Sequence, residues 1–426
     1  MKKMKIKGWA KSITAHGSII VFFIKDFEVM IMISPFAFFF YSVFSPIFQW
    51  LDRYAATKWL TAFFLPHMIL PPTLPLKTIR ILGSLFFIIG SLAFIIGALQ
   101  VYLGKIFKWG VANKGLYRYI RHPQYLALGI WGAGMSILWP RFIVLATLSL
   151  MFVLYYLLAK DEERRMLNQY GETYEQYMKG TGMFFPKFVE RHSSVISRFI
   201  PNTTLRYVAI SVLIITIVIG TGFVCRELTL HSLPFEARNN ITLVSILPED
   251  NGLSAKVIDG ILRNHSGKMD FLKDEKDYLG YLMPADYIMQ GMIANTGSEF
   301  HLYKKHHAFA TITDWVLHPF QHLRRPPSVH MAKMHNVAPA IARRHQCPIG
   351  IKESDLECEN CPYRRVIIVE IEHSYGGHIS RDKLLSLNTI RIPIGFIDIN
   401  TQTGEIVDIR RVEKATAWKD VPTPAI

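Results

Sequence analysis

The chain has 426 residues, enough for two or three domains; half of them are hydrophobic, and the formal net charge is +15. The excess lies in one half: residues 1–225 hold 24 Lys/Arg against 9 Asp/Glu, whereas residues 226–426 hold 24 of each. A basic excess in the apolar half, with an overall mean hydropathy of +0.21, points to positive loops facing anionic lipid headgroups and speaks against a nucleic-acid partner.

The segment Met1 to Lys11 is basic, but the apolar stretch after it is long and broken by Lys25, Asp26 and Glu28. No small-residue cleavage site stands out, so the first apolar segment is read as retained. A helix needs about 20 apolar residues to cross a bilayer, and residues 28–50 are the first expected span. Residues 51–78 are mixed and carry Pro66, Pro71, Pro72 and Pro75, which reads as an external loop or re-entrant segment. Residues 79–103 are a second span. Two shorter apolar runs, 125–138 and 142–159, are joined at Trp139-Pro140-Arg141 and are expected to form a tight hairpin of spans three and four. Residues 205–225 are the fifth span.

Lys/Arg counts set the orientation. Segments 1–25, 104–121 and 159–206 carry six, five and eight, against four in 51–80 and Arg141 alone at the hairpin tip. The first three are therefore expected in the cytoplasm. With five spans, residues 226–426 fall outside it. These basic residues are read as solvated topology signals, Arg121 excepted.

The loop before the hairpin and the segment after it carry the chemistry. Gly115-Leu116-Tyr117 leads into Arg121-His122-Pro123-Gln124-Tyr125, and the hairpin returns to Asp161-Glu162-Glu163, followed by Gly171, Tyr174 and Tyr177. A hairpin returns to the face it left, so the basic and acidic clusters can meet. Ionisable groups at a membrane edge are costly and are a functional-site hypothesis by default. Arg121 can grip a carboxylate bidentately, and His122 can donate or accept a hydrogen bond near neutral pH. Pro123 suits the first turn of a helix, whose N-terminal amides would face the same anion. Adjacent glutamates point about 100° apart on a helix, so only one of Glu162 and Glu163 is expected to face a ligand.

This set, Gly-x-Tyr-x3-Arg-His-Pro-x-Tyr, an apolar hairpin, Glu-Glu, Gly-x2-Tyr-x2-Tyr and the late Pro186, resembles the isoprenylcysteine carboxyl methyltransferase family, which is related to the phospholipid methyltransferases. The motifs cover roughly residues 100–187. The resemblance implies S-adenosylmethionine at the cytoplasmic membrane edge and methyl transfer to a lipophilic acceptor entering from the bilayer. It implies catalytic roles for Arg121, His122 and Glu162. It implies cofactor contacts from Gly115, Tyr117, Arg121, His122, Pro123, Tyr125, Glu162, Glu163 and Tyr174.

Beyond residue 225 the material changes: no spanning run, balanced charge and strand-like alternation. Residues 226–240 read as a linker and 241–426 as a soluble α+β domain. Strands are expected at 366–372, 392–399 and 405–412, with a turn at Asn400-Thr401-Gln402-Thr403-Gly404. Helices are expected at 255–262 and 332–344. Eight histidines fall between His301 and His345. His318 and His322 have a metal-ligand spacing, but Pro319 between them confines both to a helix start. Cys347, Cys358 and Cys361 with His345 form a candidate metal set; a disulfide or free thiols are the preferred reading. The hairpin 395–412 resembles strand pairs of small extracytoplasmic α+β modules, and a metal or haem on this half stays open.

The sequence thus describes a polytopic α-helical membrane domain of about five spans followed by a soluble α+β domain. The expected activity is S-adenosylmethionine-dependent methylation of a carboxylate or amine on an isoprenoid, lipid or lipidated molecule. Two alternatives stand beside it: a sterol-reductase-type membrane reductase using a nicotinamide, and a non-catalytic scaffold with a His/Cys-rich domain. A bacterial inner membrane with a periplasmic C-terminal domain is favoured, and the endoplasmic reticulum is compatible.

Overall fold

The computed structural model describes residues 47, 50–51, 53–66, 69, 73–107, 113–190, 202–263, 271–284, 363–372, 384–385, 387 and 389–412. The chain divides into a unit of residues 1–30 and 75–225 and a unit of residues 31–74 and 226–426.

In the first unit α1 spans Leu74–Ile106, α2 Pro123–Leu138, α3 Phe142–Tyr170, α4 Glu172–Gly180 and α5 Lys187–Glu190; α6, Thr203–Ser232, begins there. Three of these helices are long and apolar enough to cross a membrane: Leu74–Gly104, Phe142–Tyr170 and Thr204–Ser232. Helix α2 has 16 residues, about 24 Å at 1.5 Å per residue. That falls short of a hydrocarbon core of about 30 Å. The expected first span, 28–50, lies almost wholly outside the described residues.

Glycines let the helices approach closely. A Cβ on Gly90 would meet the backbone of Trp131, with Cα at 2.7 Å, and one on Gly134 would lie 2.7 Å from the Gly83 carbonyl. So α1 and α2 touch backbone to backbone, which suits lipid surroundings where small residues create helix interfaces. On α6, Gly222 admits Leu145 and Phe142 of α3, and Phe223 packs its ring 4.6 Å from that of Phe142. Helix α3 runs eleven residues beyond the expected end at 159, so Asp161, Glu162 and Glu163 belong to the same rigid rod as the apolar stretch. It stops at Gly171, whose φ of +52° only glycine adopts without strain. Arg141, read as a solvated tip residue, is instead buried at the N-cap of α3.

The second unit holds one six-stranded sheet in the order β1 Phe235–Arg238, β2 Ile241–Ser245, β3 Asp277–Pro284, β4 Tyr363–Glu372, β5 Ile390–Asn400 and β6 Ile406–Arg411. Neighbours are antiparallel except β2 and β3, which are parallel. The amphipathic helix α7, Ser254–Arg263, lies in the connection that such a parallel pair requires. Alternation along β4 gives each face its own core. Val366 and Ile368 pack with Val257, Ile258 and Ile261 of α7. Ile367, Val369 and Ile371 pack with Ile69, Leu233, Leu384 and Leu385. Arg365, on that second face, is buried in a bidentate pair with Asp398 at 2.6 and 2.7 Å. The turn at 400–404 forms as expected: the Asn400 side chain accepts from the Gln402 and Thr403 amides, and Gly404 takes φ +76°.

Two stretches differ from the sequence expectation. Residues 226–240, expected as a linker, are the end of α6 and strand β1. Within 51–78, expected as an external loop, Phe63, Phe64, Leu65 and Ile69 are buried. They are tied into the sheet unit where Arg226 donates to the Phe63 and Leu385 carbonyls. The helix expected at 332–344 lies outside the described residues.

Candidate functional site

The site is assembled where the loop before α2 meets the segment after α4. The 3-10 turn Gly115–Arg118 starts with Gly115 at φ +57°, and the Gln100 side chain donates to the Lys114 carbonyl beside it. Residues 120 and 182 then form a short parallel bridge. The Arg121 amide donates to the Gly182 carbonyl at 2.8 Å and the His122 amide to that of Met183 at 3.0 Å. Pro123 occupies the first turn of α2 with His122 at its N-cap, as its fixed φ favours.

The side chains of this loop converge on α3. Arg121 Nε lies 2.7 Å from Glu163 Oε1, and Nη1 donates to the carbonyls of Met178 and Thr181. His122 Nδ1 is 3.4 Å from Glu162 Oε2, and its Nε2 is 3.7 Å from Glu163 Oε1. That Nε2 is buried and makes no hydrogen bond. Lys160 completes the surroundings of Glu163 at 3.3 Å. The Tyr125 hydroxyl donates to Glu162 at 3.4 Å. Rings of His122, Tyr125 and Tyr155 form a continuous stack, with centroids 5.6 and 5.0 Å apart. Phe184 borders His122 at 6.0 Å. Tyr174 is buried 5.7 Å from Tyr177, whose hydroxyl donates to the Tyr117 carbonyl at 2.6 Å.

Burial favours the neutral imidazole of His122, but the neighbouring Glu162 and Glu163 carboxylates, which favour its charged form, outweigh burial and hold its pKa above the usual 6.5. Burial and then the Glu162 charge raise the Tyr117 phenol, burial and then Glu163 raise that of Tyr174, and burial pushes Tyr177 up to about 12. These three phenols stay protonated near neutral pH and so can donate hydrogen bonds, as Tyr177 does to the Tyr117 carbonyl.

All nine residues expected at the site lie in this one region, but their surroundings differ. The Glu163 side chain is 4% exposed and that of Glu162 45%. Glu163 is thus committed to internal partners, and Glu162 is the carboxylate open to a ligand. Arg121, expected to grip a ligand carboxylate, is paired with Glu163. The segment Thr181–Phe185 and Glu190, absent from the expectation, supply much of the framing; Tyr155 extends the stack. His345, Cys347, Cys358 and Cys361 lie outside the described residues, and among the described residues no cluster of His, Cys, Asp and Glu could hold a metal ion.

The residues suit S-adenosylmethionine. Glu162 offers an accessible acceptor for an ammonium or for ribose hydroxyls, His122 Nε2 holds hydrogen-bonding capacity in reserve, and the aromatic stack offers flat faces.

Comparison with known proteins agrees with the motif. Residues 78–173 match the family described as phospholipid methyltransferase. A stretch of 72 residues is 33% identical to the protein-S-isoprenylcysteine O-methyltransferase of Schizosaccharomyces pombe, covering 16% of this chain and 30% of that protein. The match therefore spans less than a third of the length of the curated relative. No solved structure matches.

Proposed function

We propose that this protein is an integral membrane methyltransferase that takes its methyl group from S-adenosylmethionine and delivers it to a carboxylate or amine on an isoprenoid, lipid or lipidated molecule. One observation carries the reading. Arg121 and His122 meet Glu162 and Glu163 across the base of an apolar hairpin, inside the segment that matches the phospholipid methyltransferases.

When bound, the cofactor supplies an electrophilic methyl on a sulfonium, and the protein's task is to position and shield it. Glu162 would take the ammonium or ribose hydroxyls. His122, whose pKa its two glutamates raise, would orient Glu162 and present Nε2 to the cofactor. Tyr117, Tyr125 and Tyr174 would line the adenine or amino-acid end, and Gly115 and Pro123 would shape the loop. Arg121 and Glu163 would fix the frame rather than touch the ligand. Such positioning contributes roughly 7–11 kcal/mol in a two-substrate reaction. A carboxylate acceptor needs no general base.

We place the site on the cytoplasmic face of a five-span domain, with residues 226–426 on the other side, in a bacterial inner membrane. Ile69 packs in the same core as the sheet, and the Phe63 carbonyl accepts from Arg226, which supports an arrangement leaving 51–78 and 226–426 on one side. The test is calorimetric titration of the detergent-purified protein with S-adenosylmethionine. Micromolar binding lost in Glu162→Ala is expected; no binding by a well-folded wild type would refute the cofactor assignment.

A further inference from the structure

The Glu190 carboxylate, on the short α5 after Pro186, accepts three consecutive backbone amides. Oε2 accepts from Met183 at 2.8 Å, and Oε1 accepts from Phe184 at 2.8 Å and Phe185 at 3.1 Å. The loop is wound so tightly that a Cβ on Gly182 would collide with the Phe185 carbonyl and lie 3.0 Å from Glu190 Oε2. The bound segment is the one whose carbonyls receive the Arg121 side chain and the amides of Arg121 and His122. It also places Phe184 against His122. The amides of Arg121 and His122 and one of the Arg121 guanidinium bonds thus rest on a strip of chain fastened by one carboxylate, the other guanidinium bond to a carbonyl going to Met178 of α4.

We propose that Glu190 is a positioning residue for the cofactor site. It gathers the 183–185 amides, fixes the carbonyls of 181–183, and so sets where Arg121 and His122 stand relative to Glu162 and Glu163. A charged acceptor suits the task, since bonds to ionised groups are shorter and stronger than neutral ones. The proposal rests on the cofactor reading above.

The experiment uses the full chain in detergent, as wild type, Glu190→Ala and Glu190→Gln. The readouts are S-adenosylmethionine titration, backbone hydrogen exchange by mass spectrometry, and thermal unfolding. Glu190→Ala is expected to weaken cofactor binding on the order of tenfold, the scale of a charged hydrogen bond. Exchange should rise in 119–122 and 181–185 and not in α1 or α2. Glu190→Gln keeps an acceptor oxygen and should recover most of the affinity. Wild-type affinity in Glu190→Ala overturns the proposal. So does an equal loss in both variants accompanied by faster exchange throughout the helices. Should the wild type bind no cofactor, the proposed function falls, and exchange alone then decides: unchanged protection of 119–122 in Glu190→Ala overturns the positioning role.

Discussion

Two neighbouring glutamates in one helix should answer the same mutation in opposite ways. Glu163→Gln removes a charge whose side chain is 4% exposed and which faces Arg121 at 2.7 Å, Lys160 at 3.3 Å and His122 at 3.7 Å. Removing one partner of a buried pair costs about 3–5 kcal/mol. Two features reduce that here: the amide oxygen of glutamine can still accept from Arg121 Nε, and Arg121 keeps the carbonyls of Met178 and Thr181. A loss of about 2 kcal/mol remains, roughly 4–8 °C in midpoint for a unit of this size. Glu162→Gln alters a side chain 45% exposed whose contacts with His122 and Tyr125 both lie at 3.4 Å. Its stability effect should stay below about 1 kcal/mol, while a lost charge-assisted bond to ligand should weaken S-adenosylmethionine binding about ten- to hundredfold. Thermal unfolding and cofactor titration of both variants at pH 7 separate the cases. Equal melting midpoints for the two variants would refute the division of labour, and so would a Glu163→Gln protein that melts like wild type.

His122 makes the site pH-dependent. Its folded pKa lies above 6.5, so the folded protein holds the proton more tightly than the unfolded chain. The resulting stability is complete below about pH 6.5 and is lost as pH rises through the higher folded value. Unfolding midpoints followed upward from pH 6 should fall in the wild type more than in His122→Gln, and parallel curves would contradict this. Gly90→Leu should drive α1 and α2 apart, because a Cβ there meets Trp131 backbone. A cost of about 1–3 kcal/mol or more is expected from overpacking. Gly97→Ala meets only the flexible Gln124 side chain at 3.2 Å and should unfold close to wild type; similar midpoints for both variants would contradict the close approach.

The convergence of the site was legible because its parts are local: a motif before the hairpin, a motif after it, and an apolar connection that brings both to one end. The split between Glu162 and Glu163 was legible only as a rule that one must turn away. Which one depends on where Arg121 stands, and a guanidinium suits an internal carboxylate as well as a ligand's. Glu190 gives no sequence signal, since a carboxylate binding backbone amides leaves no pattern in side-chain types. Buried Arg141, Arg226 and Arg365 look in the sequence like any solvated cation; only their tertiary partners distinguish them. Phe63 and Phe64 read as loop because Arg226 and Thr229, which bond their carbonyls, lie some 160 positions away.

That last separation has a consequence for how the protein is made. Phe63, Phe64, Leu65 and Ile69 leave the ribosome before the helices of the first unit, and the sheet they belong with is synthesised afterwards. The early fragment must wait, and the late one arrives missing part of one face. A fragment cut at residue 226 would therefore expose apolar surface around Leu233, Leu384 and Leu385, and should aggregate unless residues 53–69 are supplied. Any graft of the sheet onto another anchor would have to carry both pieces of chain.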